Sequence, residues 1–187
     1  MAKSPTTTLA PLALLLVLTA VPALAEDAGS TAPTAGNASS PARAAFERFK
    51  ALAGEWRGKS GRGWTDRASF QVLGGDSAVL STSSFDGPEA KPMATVFHLD
   101  GDRLLLTHYC MASNQPQLQA TAISPDSHKV TFTFVDATNL ASRDVGHMDK
   151  AVYRFVDENH YTTVWTWYQD GKERWLEEIE AERNAPE

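Results

Sequence analysis

The side chains in this sequence best suited to chemistry are an imidazole and a thiol two residues apart, His108 and Cys110. Residues i and i+2 of a β-strand lie on the same face, so both side chains can point into one site. Imidazole and thiolate are ligands for zinc and copper, and a thiol beside an imidazole base is a nucleophile. The spacing suits both chemistries but matches no tight metal or catalytic motif.

Three polar residues further along the chain extend this group. Asp136 continues an alternating apolar face that ends at Phe134, and Asn139 and His147 follow it. We interpret these residues, together with His108 and Cys110, as a polar cluster at one end of the domain. Residues 136–150 contain no convincing strand, and a loop of that length in a compact domain is usually functional or disordered. We therefore predict a lid that carries His147.

The cluster supports three hypotheses about chemistry. A metal site uses His108, Cys110 and His147, with the thioethers of Met111 and Met148 nearby. A nucleophilic site uses Cys110 with a histidine base and a carboxylate that orients it. In the third hypothesis, which we favour, polar groups orient a largely apolar ligand. Its ligand-binding residues are His108, Tyr109, Asp136, Asn139, His147, Trp165 and Trp167.

A purely structural interpretation stands beside these hypotheses. The polar groups are then hydrogen-bonded to loop backbone at the rim of the domain, and Cys110 is a small buried hydrophobe. The stripe of Trp165 and Trp167 is then plain core, because aromatic side chains dominate protein cores. The sequence leaves catalysis and the identity of any cofactor open, and we assign no catalytic residue.

The elements that must position these residues are one helix followed only by strands. Ser40-Pro41 is a typical helix start, apolar residues from Ala45 to Leu52 recur at helical spacing, and Gly54 ends the helix. After Trp56, short alternating segments are separated by turn residues every 8–12 positions. This pattern predicts a mainly β fold, an antiparallel barrel or sandwich with one N-terminal helix.

The N-terminal segment of the chain predicts export. An apolar run over residues 12–21 precedes Ala23-Leu24-Ala25, an A-x-A cleavage signal. We expect a signal peptide at residues 1–25, a disordered linker at 26–41 and the barrel domain at 42–187. The protein is then periplasmic or secreted, with no stable membrane span after cleavage. An uncleaved anchor is the alternative, although the run is short for a spanning helix.

Composition narrows the class of partner. The 187 residues carry a net charge of −6 with no basic cluster, which argues against binding nucleic acid or anionic lipid. A single cysteine cannot form an internal disulfide, so packing alone must hold the fold. A small apolar molecule is the partner that we expect.

Four segments resemble a family of exported bacterial lipocalin-like proteins of unknown function, within the calycin group. They are Gly54-Glu55-Trp56-Arg57-Gly58, Val96-Phe97-His98-Leu99-Asp100-Gly101-Asp102, Leu106-Thr107-His108-Tyr109-Cys110 and Asp136-Ala137-Thr138-Asn139-Leu140. The resemblance implies an up-and-down barrel with Trp56 on its floor and Gly54 and Gly58 beside it. It also implies that a basic residue of the last strand, Arg183 or Arg174, stacks on Trp56.

The Trp-Arg-Gly segment also resembles nitrobindins, barrels that hold haem through a histidine late in the chain. Residues 172–187 contain no histidine, so this chain departs from that pattern. Haem or metal binding through His108, Cys110 and His147 remains the alternative to an apolar ligand.

Overall fold

The computed structural model describes residues 40–87 and 89–185, so the predicted signal peptide and nearly all of the predicted linker lie outside the described residues. Within them the chain forms one helix and ten strands. The elements are α1 (Pro41–Ala51), β1 (Gly54–Ser60), β2 (Thr65–Leu73), β3 (Ala78–Phe85), β4 (Met93–Asp100), β5 (Arg103–Tyr109), β6 (Gln115–Ile123), β7 (Lys129–Thr138), β8 (His147–Phe155), β9 (His160–Gln169) and β10 (Lys172–Arg183).

The ten strands close into a barrel. Each strand pairs antiparallel with its neighbour in sequence, and β1 pairs with β10 to complete the wall, from Trp56 opposite Arg183 to Ser60 opposite Ile179. Closure leaves no unpaired sheet edge. The predicted fold class, a mainly β up-and-down barrel with one N-terminal helix, is therefore confirmed, and the sandwich alternative is excluded.

Helix α1 packs its apolar face into one end of the barrel. It begins at Pro41, and the hydroxyl of Ser40 accepts a hydrogen bond from the backbone N–H of Arg43. Phe49 is fully buried, and its ring stacks on Phe97 with centroids 4.2 Å apart. Phe132, Tyr153 and Phe155 meet the same ring edge-on. Such aromatic pairs each add about 0.5–1.5 kcal/mol beyond the area they bury.

Trp56 and Arg183 form the floor of this closed end. Trp56 is 1% exposed, and its indole N–H donates to the carbonyl of Leu52 at 2.7 Å. The guanidinium of Arg183 lies 4.3 Å from the centre of the indole. It also donates to the carbonyls of Ala51, Ala53 and Glu158. One side chain of the last strand therefore contacts the first strand, the end of the helix and the turn between β8 and β9.

Two glycines make room for this floor. Gly54 has φ +125°, a conformation that favours glycine, and a Cβ there would lie 3.0 Å from Arg183 Nη1. A Cβ on Gly58 would lie 2.6 Å from Ile179 Cγ2, closer than such atoms approach. Arg174, the other basic residue considered for stacking on Trp56, instead contacts Gln169 and Asp170 at the opposite end of β10.

The prediction that residues 136–150 contain no strand is wrong at both ends of this segment. β7 continues to Thr138 and β8 begins at His147, which leaves a loop of residues 139–146. The extra strand residues pair with Gln115–Gln117 of β6 and with Trp167 and Tyr168 of β9. Backbone pairing with an existing strand outweighs the weak strand preference of Asp136 and Ala137.

Helix α1 is 11 residues long, and no helix within residues 40–87 and 89–185 combines the length and apolar character needed to cross a bilayer.

We predict that Arg183→Met lowers the free energy of unfolding by about 2–4 kcal/mol. The variant keeps the aliphatic stem but loses three charged hydrogen bonds and the cation–π contact with Trp56. Urea unfolding followed by tryptophan fluorescence measures the change. Arg174→Met is the matched control and should change stability by less than about 1 kcal/mol, because Arg174 contacts only Gln169 and Asp170 of the adjacent turn. Equal losses in the two variants would contradict the role of Arg183.

Candidate functional site

Between the aromatic core and the other end of the barrel lies a partly open space of about 60 Å³, the inner cavity. Tyr153, Tyr161 and Trp165 form its aromatic wall. The polar side chains that line it are Asp66, Ser81, Ser83, Thr95, His108, Thr163 and Glu177. A barrel interior with this many polar groups has room for a few water-sized molecules or one small polar group.

His108 is the most unusual group in the inner cavity. It is 5% exposed, and its Nδ1 lies 2.9 Å from the hydroxyl of Thr95. Its Nε2 is buried and has no hydrogen-bond partner among the described residues. Burial lowers the pKa of His108 to about 4, so the ring is neutral at neutral pH. A buried polar atom left unpaired costs about 1–3 kcal/mol, which is a cost that a bound ligand can remove.

Asp66 brings a carboxyl group into the same cavity. It is 3% exposed and accepts a hydrogen bond from the hydroxyl of Ser83 at 2.7 Å. Burial raises the pKa of Asp66, the hydrogen bonds from Ser83 and the Ser84 backbone lower it, and the charge of Glu177 raises it further. Burial also raises the pKa of Tyr153 and Tyr161, whose hydroxyls therefore stay protonated.

A wider apolar space, the mouth groove, continues outward from the inner cavity. Its volume is about 470 Å³, and it is lined by Trp64, Phe85, Gly87, Glu89, Ala90, Met93, Cys110, Met111, Ala112, Met148, Trp167, Trp175 and Glu177. Four of these residues, Phe85, Met93, Met148 and Glu177, also line the inner cavity. The two spaces are therefore adjoining parts of one site.

Trp167 and Trp175 of the groove stack on each other, and Trp167 and Trp64 are packed against loop glycines. The rings of Trp167 and Trp175 are nearly parallel, with centroids 5.4 Å apart. A Cβ on Gly146 would lie 2.2 Å from Trp167, and one on Gly87 would lie 2.4 Å from Trp64. These loops can approach the indoles only because glycine has no side chain.

Three residues of the predicted ligand set line this site. His108 and Trp165 line the inner cavity, with their rings 4.7 Å apart, and Trp167 lines the mouth groove. Cys110, a candidate metal ligand, is 8% exposed at the groove. Burial raises the pKa of its thiol, so it stays protonated and is a poor nucleophile.

His147 lies elsewhere. It is fully buried between Phe134 and Tyr168, and its Nδ1 is 2.6 Å from the carbonyl oxygen of Val145. Its Nε2 is 2.5 Å from Arg143, whose guanidinium also lies 3.8 Å from the centre of the Phe134 ring. Both ring nitrogens are thus engaged within the 139–146 loop, so His147 fixes that loop to the barrel.

The predicted polar cluster does not form. Tyr109 is 51% exposed, and Asp136 and Asn139 are also exposed. The register of β6 and β7 shifts between Gln117 and Leu118, which gives β7 one extra residue at Val135. Such a bulge breaks alternation, so Asp136 does not continue the inward face of Phe134. The amide of Asn139 instead donates to the carbonyl of Ser113.

The candidate metal ligands are also separated. Within the part of the chain that the structure describes, no three His, Cys, Asp or Glu side chains are placed to hold a metal ion. His108 and Cys110 share a face, but His147 belongs to the loop attachment described above.

The sequence analysis missed Asp66 and Glu177. Each lies in a strand on the same face as buried apolar residues: Asp66 with Ala68 and Phe70, and Glu177 with Ile179 and Ala181. A carboxylate on the apolar face of an alternating strand was the signal available, because buried charges are rare without a function or a partner.

Comparison with known proteins shows the fold alone. No protein-family model and no curated protein matches the chain. Among solved structures it is similar to a protein of unknown function from the DUF3598 family of Nostoc punctiforme, with a TM-score of 0.50 and 13% sequence identity. The match covers 73% of this chain but only 49% of the other, so this chain spans about half of that protein.

We predict that the contribution of His108 to the free energy of unfolding falls by about 3 kcal/mol as the pH drops from 6.5 to 4. The unfolded chain binds a proton on His108 near pH 6.5, whereas the folded chain does so only near pH 4. His108→Gln removes this contribution, so its free energy of unfolding should depend less on pH in this range. Urea titrations at several pH values test this, with the exposed His160→Gln as control. Parallel curves for all three proteins would contradict it.

We predict that Gly146→Ala displaces the Trp167 indole from its stack with Trp175. The expected loss of stability is about 1–3 kcal/mol, as for other insertions into packed space. Near-ultraviolet circular dichroism should show the loss of coupling between the two indoles. In Gly61→Ala the nearest atom lies at an ordinary 3.7 Å, so its spectrum should match the wild type. An unaltered spectrum for Gly146→Ala would show that the loop does not set the ring position.

Proposed function

We propose that this protein binds a small, largely apolar molecule through the open end of a calycin-like barrel. The apolar body of the ligand occupies the mouth groove, and its polar end enters the inner cavity. The observation that carries the proposal is the buried Nε2 of His108, which lines this connected space and has no hydrogen-bond partner within residues 40–87 and 89–185. Ligand pockets typically combine apolar walls with a few polar groups that fix orientation.

The relative sizes of the two spaces support this orientation. The mouth groove, at about 470 Å³, is within the range of small-molecule sites. The inner cavity, at about 60 Å³, admits only a small group. A ligand with a bulky apolar part and a compact polar end fits both, whereas a uniformly bulky molecule reaches only the groove.

The residues present favour binding over nucleophilic catalysis. Burial raises the pKa of the Cys110 thiol, and burial lowers the pKa of His108 to about 4, which makes this imidazole a weak base. We further propose, from the N-terminal sequence, that binding takes place in the periplasm or outside the cell.

The neutral fluorophore N-phenyl-1-naphthylamine tests the proposal, because its emission rises on entering an apolar site. We expect saturable binding to the wild type, and at least tenfold weaker binding to Met111→Asp, which places a charge in the groove. Both Met111 and its control Tyr109 are about half exposed, so neither substitution should disturb folding.

Tyr109→Asp adds the same charge outside the groove and should bind like the wild type. Absence of saturable binding to the wild type would overturn the proposed function. Equal binding by both variants and the wild type would place the binding elsewhere on the molecule and overturn the site assignment.

A further inference from the structure

The charged groups that line the site are all acidic. Asp66 and Glu177 line the inner cavity, and Glu89 and Glu177 line the mouth groove. No lysine or arginine within residues 40–87 and 89–185 lines either space. Arg62 approaches from the rim, with its Nε 3.9 Å from Glu177 and its guanidinium 5.1 Å from the centre of Trp175, but it is half exposed. The interior therefore repels anions.

Asp66 has spare capacity to accept hydrogen bonds. The Ser83 hydroxyl and the Ser84 backbone contact its carboxyl group, whereas two carboxylate oxygens offer about four acceptor positions. Asp66 is 3% exposed, and no lysine, arginine or histidine in the described part of the chain forms an ion pair with it. A buried carboxylate without a counter-ion is costly, so a positive group placed beside it would be held strongly.

Other cavity groups suit the same positive group. Nε2 of His108 accepts a hydrogen bond when the ring carries its proton on Nδ1, facing Thr95. The hydroxyl of Thr163, which is buried at the cavity wall, offers a further oxygen acceptor. The rings of the aromatic wall defined above offer faces that attract cations. All of these groups line one cavity of about 60 Å³, and an ammonium head is small and has three donors to offer them.

We infer that the ligand is an amphipathic organic amine, with its protonated head against Asp66 and His108 and its apolar body in the mouth groove. This inference rests on the proposed function, because it names the head group of the ligand bound at the same site. The small cavity sets the size of the head: a primary ammonium fits, and a bulky quaternary group does not.

Three probes that differ only in their heads test the inference: octylamine, octanol and octanoate, titrated at pH 7 and followed by tryptophan fluorescence. We expect octylammonium to bind at least tenfold more tightly than octanol, and octanoate to bind more weakly than octanol. Asp66→Asn should reduce the preference for octylammonium over octanol to less than threefold, because the amide keeps an acceptor oxygen for either head group but carries no charge. Glu178→Gln, an exposed acidic neighbour of Glu177, is the control and should keep the full preference.

The outcomes separate the inference from the proposed function. Equal binding of the three probes would leave the proposed function standing and overturn the inference, as would tighter binding of octanoate. Binding of none of them would overturn both. A preference for octylammonium that survives Asp66→Asn would also overturn the inference, since the head group would then be recognised elsewhere.

Asp66→Asn should remain folded. Because the pKa of Asp66 is raised in the folded protein, its contribution to stability is greatest at acidic pH and is lost as the pH rises through that raised value. The variant should therefore melt no lower than the wild type at pH 7. If it melts lower, Glu177→Gln takes its place in the probe titration, with the same expected loss of preference.

Discussion

The contact between Arg183 and Trp56 is the constraint on which the rest of the barrel depends. Strands β1 and β10 must meet to close the wall, and this pair lies at the first position of their register. The guanidinium satisfies carbonyls at the end of α1 while it covers the indole. Closure, helix docking and the floor of the interior are therefore coupled through one cation. Because α1 is held in place, Phe49 can complete the aromatic core.

This core leaves the rest of the interior free for polar groups. Rings fill the half of the barrel next to the helix, whereas a carboxyl, an imidazole and several hydroxyls line the inner cavity. Buried groups such as Asp66 and the Nε2 of His108 reduce stability. A structure carries such costs where they serve a ligand, and the dense packing of the closed end offsets them.

The fold was predictable from the sequence because its signals are local: a capped helix, alternating strands and regular turns. Alternation along β5 put His108 on the same face as Leu104 and Leu106 but did not decide whether that face is inward, and the structure shows that it is. Alternation failed at Asp136, because a bulge depends on the register between two strands and leaves no mark in one of them. His147 was misplaced for a related reason, since its partners Phe134 and Arg143 come together only when the loop folds back.

Irregular registers occur on four strands: β7, β8 and β10 each gain one residue opposite a neighbour towards the open end, and β6 gains Thr121 opposite β7. At the floor, by contrast, β1 and β10 pair without interruption. A residue added near the entrance therefore leaves the pairing that closes the wall intact, whereas one added beside Trp56 would break it. Distant relatives of this chain should share the tryptophan and the arginine that covers it, and should differ most in the molecules that enter the open end of the barrel.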